Sequence, residues 1–173
     1  MTTLHLLRHA KSSAKEDVED HDRPLSRRGR EVARSVGEHL PSVVGALDLV
    51  LCSSALRTRE TLDLVIGQFS PPPRCAIEGA LYLASRERLM DRLRRLDETA
   101  VNVMVIAHNP GLHELAIALA RESSPDFRAL ASGKFPTAAC ASFDVPARWW
   151  ALGHSRHELI GYLTPESLAG GKR

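Results

Sequence analysis

The chain has 173 residues, 43% apolar and 25% charged, which is enough to bury one sizeable core. A formal net charge of +2 gives no field that would gather nucleic acid. No apolar run nears the ~20 residues of a membrane span, and no leader-like segment precedes Arg8, so a cytoplasmic protein without membrane contact is expected.

Taken in order, apolar runs of strand length alternate with segments of helical period. Thr3–Leu7 reads as a first strand. Ser26 is a candidate N-cap, and Val32, Val36 and Leu40 mark a helical face that should end before Pro41. Asp48–Cys52 is a second buried strand, followed by a helix over Leu56–Ile66. Residues 70–74 (SPPPR) form a turn, and a short strand follows near Cys75–Ile77. Arg86–Leu96 is amphipathic, Val101–Ala107 is the clearest buried strand, and Gly111–Ala120 is the next helix. Ala139–Val145 and Glu158–Leu163 read as strands, while residues 147–153 (ARWWALG) fit either class, with both tryptophans as core cover. Residues 1–168 are expected to form one domain, and residues 169–173 a flexible tail. Continuous apolar strands alternating with helices predict an α/β three-layer sandwich around a largely parallel sheet. In such sheets ligands bind beyond the carboxyl ends of the strands.

Three of those strand ends carry chemistry. The first strand runs into Arg8-His9-Ala10-Lys11, the second into Ser53-Ser54 and then Arg57, and the fourth into His108-Asn109-Pro110-Gly111. A parallel sheet would bring two histidines, two arginines and several hydroxyls to one edge. Guanidinium forks match the oxygens of a phosphoryl group. A neutral imidazole among cations can attack phosphorus, and a second can donate to a phosphoryl oxygen. No metal is required, because arginines supply the positive charge. Cys52, Cys75 and Cys140 are odd in number and scattered, without a CxxC pair, so buried free thiols are expected instead of a zinc site or a disulfide framework.

The segments LLRHAKS (6–12), CSSALRTRET (52–61) and VIAHNPG (105–111), with DRPLSRRG (22–29) between the first two, resemble the signatures of the histidine phosphatase (phosphoglycerate mutase-like) superfamily. The Ala-Lys-Ser ending and the short length are most similar to its SixA-type phosphohistidine phosphatase branch. The resemblance implies a phosphoglycerate mutase-like fold and a cofactor-free phosphatase. His9 would become phosphohistidine, Arg8 and Arg57 would grip the phosphoryl oxygens, and His108 would stand at the phosphate. Water would then hydrolyse the intermediate. Lys11, Ser12, Arg23 and Asn109 are candidate substrate contacts. The implied partner is a phosphorylated substrate, with a phosphohistidine-carrying protein foremost.

Two departures bear on chemistry. The family's RHG reads Arg8-His9-Ala10 here, so the turn must keep a negative φ or carry strain. The carboxylate that often protonates ester leaving groups falls, in SixA-like relatives, where this chain has Leu83; Glu78 is the candidate general acid that remains. An alkoxide needs a proton to leave, whereas a protonated phosphohistidine departs as neutral imidazole. A missing acid therefore tilts the reading toward P–N bonds. Only residues 78–100 separate the third and fourth strands, too few for the lid expected of a mutase. Rival readings are a phosphatase of sugar phosphates or nucleotides, a non-catalytic phosphate-binding module, and a metal hydrolase on His9 and His108. The last lacks a carboxylate ligand cluster. Arg59 and the remaining histidines are expected on surfaces or in packing, His5 within its strand.

Overall fold

The computed structural model describes residues 1–14 and 17–170. Six strands form one sheet: β1 (Thr2–Arg8), β2 (Leu49–Ser53), β3 (Arg74–Glu78), β4 (Asn102–Ala107), β5 (Cys140–Val145) and β6 (Glu158–Leu163). The helices are α1 (Arg27–Val44), α2 (Leu56–Ile66), α3 (Arg86–Arg94), α4 (Gly111–Leu119), α5 (Phe127–Ala131) and α6 (Pro165–Gly170). The strand order is β3-β2-β4-β1-β5-β6. Pairing is parallel from β3 through β1 and antiparallel for β5 and β6.

The alternation of side chains along each strand creates the layers. Leu4, Leu6, Leu51, Val103 and Val105 face one side and pack with Leu89 and Leu93 of α3 and Leu112 and Leu115 of α4. Leu7, Val50, Cys52, Met104 and Ile106 face the other, against Val36 and Leu40 of α1 and Leu62 and Val65 of α2. Both faces of the central strands are buried, which is why these strands read as unbroken apolar runs. The result is the expected α/β three-layer sandwich of phosphoglycerate mutase type. The β3–β4 connection holds a 3-10 turn (Gly79–Leu81) and α3, with no lid inserted.

Several expectations are corrected. The first helix does not stop before Pro41 but continues to Val44, ending at Gly45 with φ +72°. Burial of Leu40 and Val44 carries the extra turn past the one hydrogen bond a proline removes. The 147–153 stretch holds a 3-10 turn, with Trp149 buried and donating from Nε1 to the Ala100 carbonyl, whereas Trp150 is 58% exposed. Cys52 and Cys140 are buried free thiols, but Cys75, on edge strand β3, is exposed. His157 is buried and accepts from the Gly153 N–H. Of the expected tail, residues 169 and 170 belong to α6, and residues 171–173 lie outside the described residues. Among the described residues no helix is long and apolar enough to cross a membrane.

Candidate active site

Register brings the motifs together. Arg8 of β1 pairs with Ala107 of β4, and Cys52 of β2 with Ile106. The residues that follow, His9, His108 and Ser53, therefore emerge at one level on the carboxyl edge. Because β5 runs antiparallel, the segment before it arrives at the same edge. The Ala138 N–H donates to the carbonyls of Arg8 and His9 at 3.1 Å each, and the Arg8 side chain donates to the Phe135 carbonyl at 2.9 Å. Two glycines make close packing behind this edge feasible. A Cβ on Gly29 of α1 would lie 2.1 Å from the Lys11 carbonyl oxygen, and one on Gly111 of α4 would lie 2.0 Å from that of Ala84.

Ala10 answers the question posed by the missing glycine. Among the described residues, the non-glycine positions with positive φ are Leu83 and Ala138, so Ala10 turns the chain without entering the left-handed region. It is fully buried and its N–H donates to Thr61 Oγ1 at 3.1 Å.

A cleft of about 490 Å³ is lined by Arg8, His9, Lys11, Ser12, Asp20, Arg23, Arg57, Leu83, His108, Asn109 and Thr137. Eight residues singled out in the sequence meet here. A larger hollow of about 740 Å³ lies elsewhere, around Glu122, Phe127 and Arg128, and holds no histidine. Glu78 does not line the cleft. Its carboxylate is forked by Arg92 of α3, with Nη2 at 2.7 Å and Nε at 2.8 Å. Asp20, Leu83 and Thr137 line the cleft without having been marked as contacts by any sequence pattern. Arg59 stays at the surface, donating to the Ser54 carbonyl, and His5 bridges Ser142 and Asn102 between strands.

The hydrogen bonds fix the histidines. His9 Nδ1 lies 2.7 Å from the Ala10 carbonyl oxygen, which can only accept, so Nδ1 carries the proton and Nε2 the lone pair. Its pKa is lowered to about 4, by burial above all, with the charges of Arg57, Arg8 and Arg23 adding and the Ala10 bond partly opposing. His108 Nε2 lies 2.7 Å from Ser53 Oγ, and its pKa is lowered to about 3 by burial, then by His9 and Arg57. The two rings lie 5.2 Å apart. Both imidazoles are therefore neutral at pH 7. Among the described residues, four buried side-chain polar atoms lack a partner: Arg8 Nε, Arg57 Nε, His108 Nδ1 and Asn109 Oδ1. All four belong to cleft residues. Arg8 Nε and Arg57 Nε are N–H donors, costly to bury without partners and suited to a bound oxyanion, whereas Asn109 Oδ1 can only accept.

These shifts fix a pH dependence. His9 and His108, with His5 also lowered to about 4, bind fewer protons folded than unfolded. Their stabilising contribution is complete above about pH 6.5, the unfolded value, and is lost as pH falls through the folded values near 4 and 3. Thermal melting should show the midpoint dropping steadily from pH 6.5 to 4. A flat profile there would contradict the burial of these three rings.

Comparison with known proteins agrees with this geometry. The family model described as histidine phosphatase superfamily (branch 1) matches residues 4–78. An uncharacterized protein of Mycobacterium tuberculosis is 34% identical over 161 residues, covering 92% of this chain and 99% of its own. A structure named for the phosphohistidine phosphatase SixA, from Nakamurella multipartitia, superposes with TM-score 0.82 at 27% identity, covering 95% of this chain and 96% of that one. A second so named, from Agrobacterium tumefaciens, gives 0.80 at 27% identity, covering 95% and 98%. The fold and the family together define a phosphatase. The chain belongs to the histidine phosphatase superfamily, on its SixA-like branch.

Proposed function

We propose that residues 1–168 form one catalytic domain, acting in the cytoplasm, that removes the phosphoryl group from phosphohistidine in a protein. In this reading the Nε2 lone pair of His9 attacks phosphorus, and the bond to the leaving group breaks with its electron pair passing to the leaving nitrogen. Arg8 and Arg57 neutralise the phosphoryl oxygens through the N–H groups they turn to the cleft. With Ser53 donating to Nε2, His108 keeps a proton on Nδ1 and offers it to a phosphoryl oxygen. Lys11, Ser12, Arg23 and Asn109 contact the substrate at the rim. Water then attacks the phosphohistidine, and His9 leaves with the electron pair, restored to its neutral form, as inorganic phosphate departs.

The observation that carries the P–N assignment is the state of the nearby carboxylates. Glu78 is tied up by Arg92. Asp20 is in the cleft but holds its charge: the Tyr82 hydroxyl bond first, then Arg57 and Arg23, lower its pKa to about 2. An alkoxide would find no carboxylic acid there, whereas the imidazolium of phosphohistidine already carries its proton and leaves as neutral imidazole. The names of the two similar SixA structures point the same way.

The test compares a phosphohistidine-carrying protein with a panel of sugar phosphates and nucleotides, all in EDTA. The expected kcat/KM on the phosphoprotein exceeds that of the best ester by roughly tenfold or more. Activity on p-nitrophenyl phosphate should be undiminished by the chelator. A preference for the esters would reject the P–N assignment, and loss in EDTA would reject the metal-free mechanism.

A further inference from the structure

We infer that Asp20 is a built-in competitor for the phosphoryl site, its carboxylate sharing Arg57 with a bound phosphoryl group and weakening the hold on it. The inference rests on the reading of Arg57 as a phosphoryl ligand and adds a residue that sets how tightly the site holds anions.

Arg57 is 3% exposed, and a buried guanidinium without a counter-charge is strongly unfavourable. Asp20 supplies that charge from the β1–α1 connection. Its main-chain carbonyl accepts from Arg57 Nη1 at 2.8 Å, and its Oδ2 accepts from Nη2 at 3.2 Å. The third nitrogen, Nε, is buried without a partner. Bidentate capture of a phosphoryl group uses two adjacent N–H groups of the fork. Nε and Nη2 are such a pair, and the Asp20 carboxylate sits on one of them. Nη2 carries two N–H groups, so a phosphoryl group that takes the Nε and Nη2 pair shares Nη2 with the Asp20 carboxylate and lies against its negative charge.

The carboxylate is anchored beside the cleft. Its side chain is half exposed; Oδ1 accepts from Arg23 Nε at 3.1 Å, and the Tyr82 hydroxyl donates to Oδ2, the oxygen that also accepts from Arg57. Held so, it is a fixed negative charge facing a phosphate dianion. Two consequences follow. Arg57 stays ordered when no phosphoryl group is bound. Free inorganic phosphate, which has only the oxyanion contacts, is held weakly and released, whereas a phosphorylated protein adds contacts at the rim, where Lys11 and Leu83 are exposed.

The rival account makes Asp20 a positioning residue that aims Arg57, and the two accounts differ in sign. Phosphate affinity is measured by calorimetry for the full chain and for D20N, D20A, D22N and R57A, with product inhibition measured in parallel. Each variant's fold is checked by its melting curve. As a competitor, Asp20 predicts that D20N and D20A bind phosphate about tenfold tighter and show a product-inhibition constant lowered to match. D22N, whose carboxylate lies by His21 and lines no part of the cleft, should bind as the parent does. Unchanged or weaker phosphate binding in either folded Asp20 variant overturns the inference and leaves the reading of Arg57 standing. Undiminished binding in R57A would instead remove the phosphoryl-site reading and this inference with it.

Discussion

Replacing His9 by alanine is expected to lower turnover of p-nitrophenyl phosphate by roughly 10³-fold or more, about 4 kcal/mol of barrier, while leaving phosphate affinity within a few-fold. The split follows from where the groups sit. His9 contributes the lone pair of Nε2 and little of the positive charge, since burial and three arginines keep its ring neutral. Arg8 Nε, Arg57 Nε and His108 Nδ1 remain to hold an oxyanion after His9 is gone. A residue that merely bound phosphate would lose affinity and rate together. A second readout is the intermediate itself. Rapid alkaline quenching should trap a phosphorylated enzyme from the parent, labile to acid, and none from H9A. Full retention of activity in H9A would sink the nucleophile assignment. So would a phosphoenzyme that persists without His9.

The parts legible in the sequence were those set by local pattern. Leu7-Arg8, Cys52-Ser53 and Ala107-His108 each mark an apolar run breaking into polar residues, and in a parallel sheet such breaks must share an edge. Pairing of Arg8 with Ala107 is that expectation realised. Asp20 had no such mark. It lies in a polar stretch with Asp17, Glu19 and Asp22, and its contacts to Arg57 and Tyr82, 37 and 62 residues away, distinguish it from them. Glu78 failed to reach the cleft for a similar reason: its partner Arg92 lies on a different element, at a spacing no local period reports. Thr137 belongs to a segment without a periodic pattern, although Ala138, with φ +63°, turns it to cap Arg8 and His9. Pro41 misled in the opposite direction. Its local cost is real, but the apolar contacts of Leu40 and Val44 outweigh it.

The second large effect is expected at a residue with no chemistry of its own. Gly111→Ala should destabilise the fold by about 2 kcal/mol and lower the melting temperature by roughly 4–8 °C. Alanine would ordinarily improve a helix, by up to about 1 kcal/mol in its interior. Here the added Cβ would stand 2.0 Å from the Ala84 carbonyl oxygen and 3.1 Å from the carbonyl carbons of Ala84 and Ser85. These are main-chain atoms, so no side chain can swing aside, and α4 and the 81–85 turn must separate. Both halves of that contact carry the cleft. The Leu112 N–H donates to the His108 carbonyl, fixing the loop that holds the second histidine. The turn presents Leu83 to the rim, and Ser85 caps α3 by accepting from the Arg88 N–H. A displacement of about 1 Å between these segments can cost roughly 10²-fold in rate, so kcat should fall together with stability. Gly67→Ala is the matched comparison. Gly67 has φ −61°, and a Cβ added there would meet nothing within 4 Å, so that change should be neutral or raise stability by about 0.4–1 kcal/mol. If G111A melted with G67A and kept full activity, the close approach of α4 to the 81–85 turn would have to be abandoned. If G111A alone loses both, the glycine of the His108-Asn109-Pro110-Gly111 motif is explained by contact: it lets the second histidine's loop press against the turn that completes the cleft.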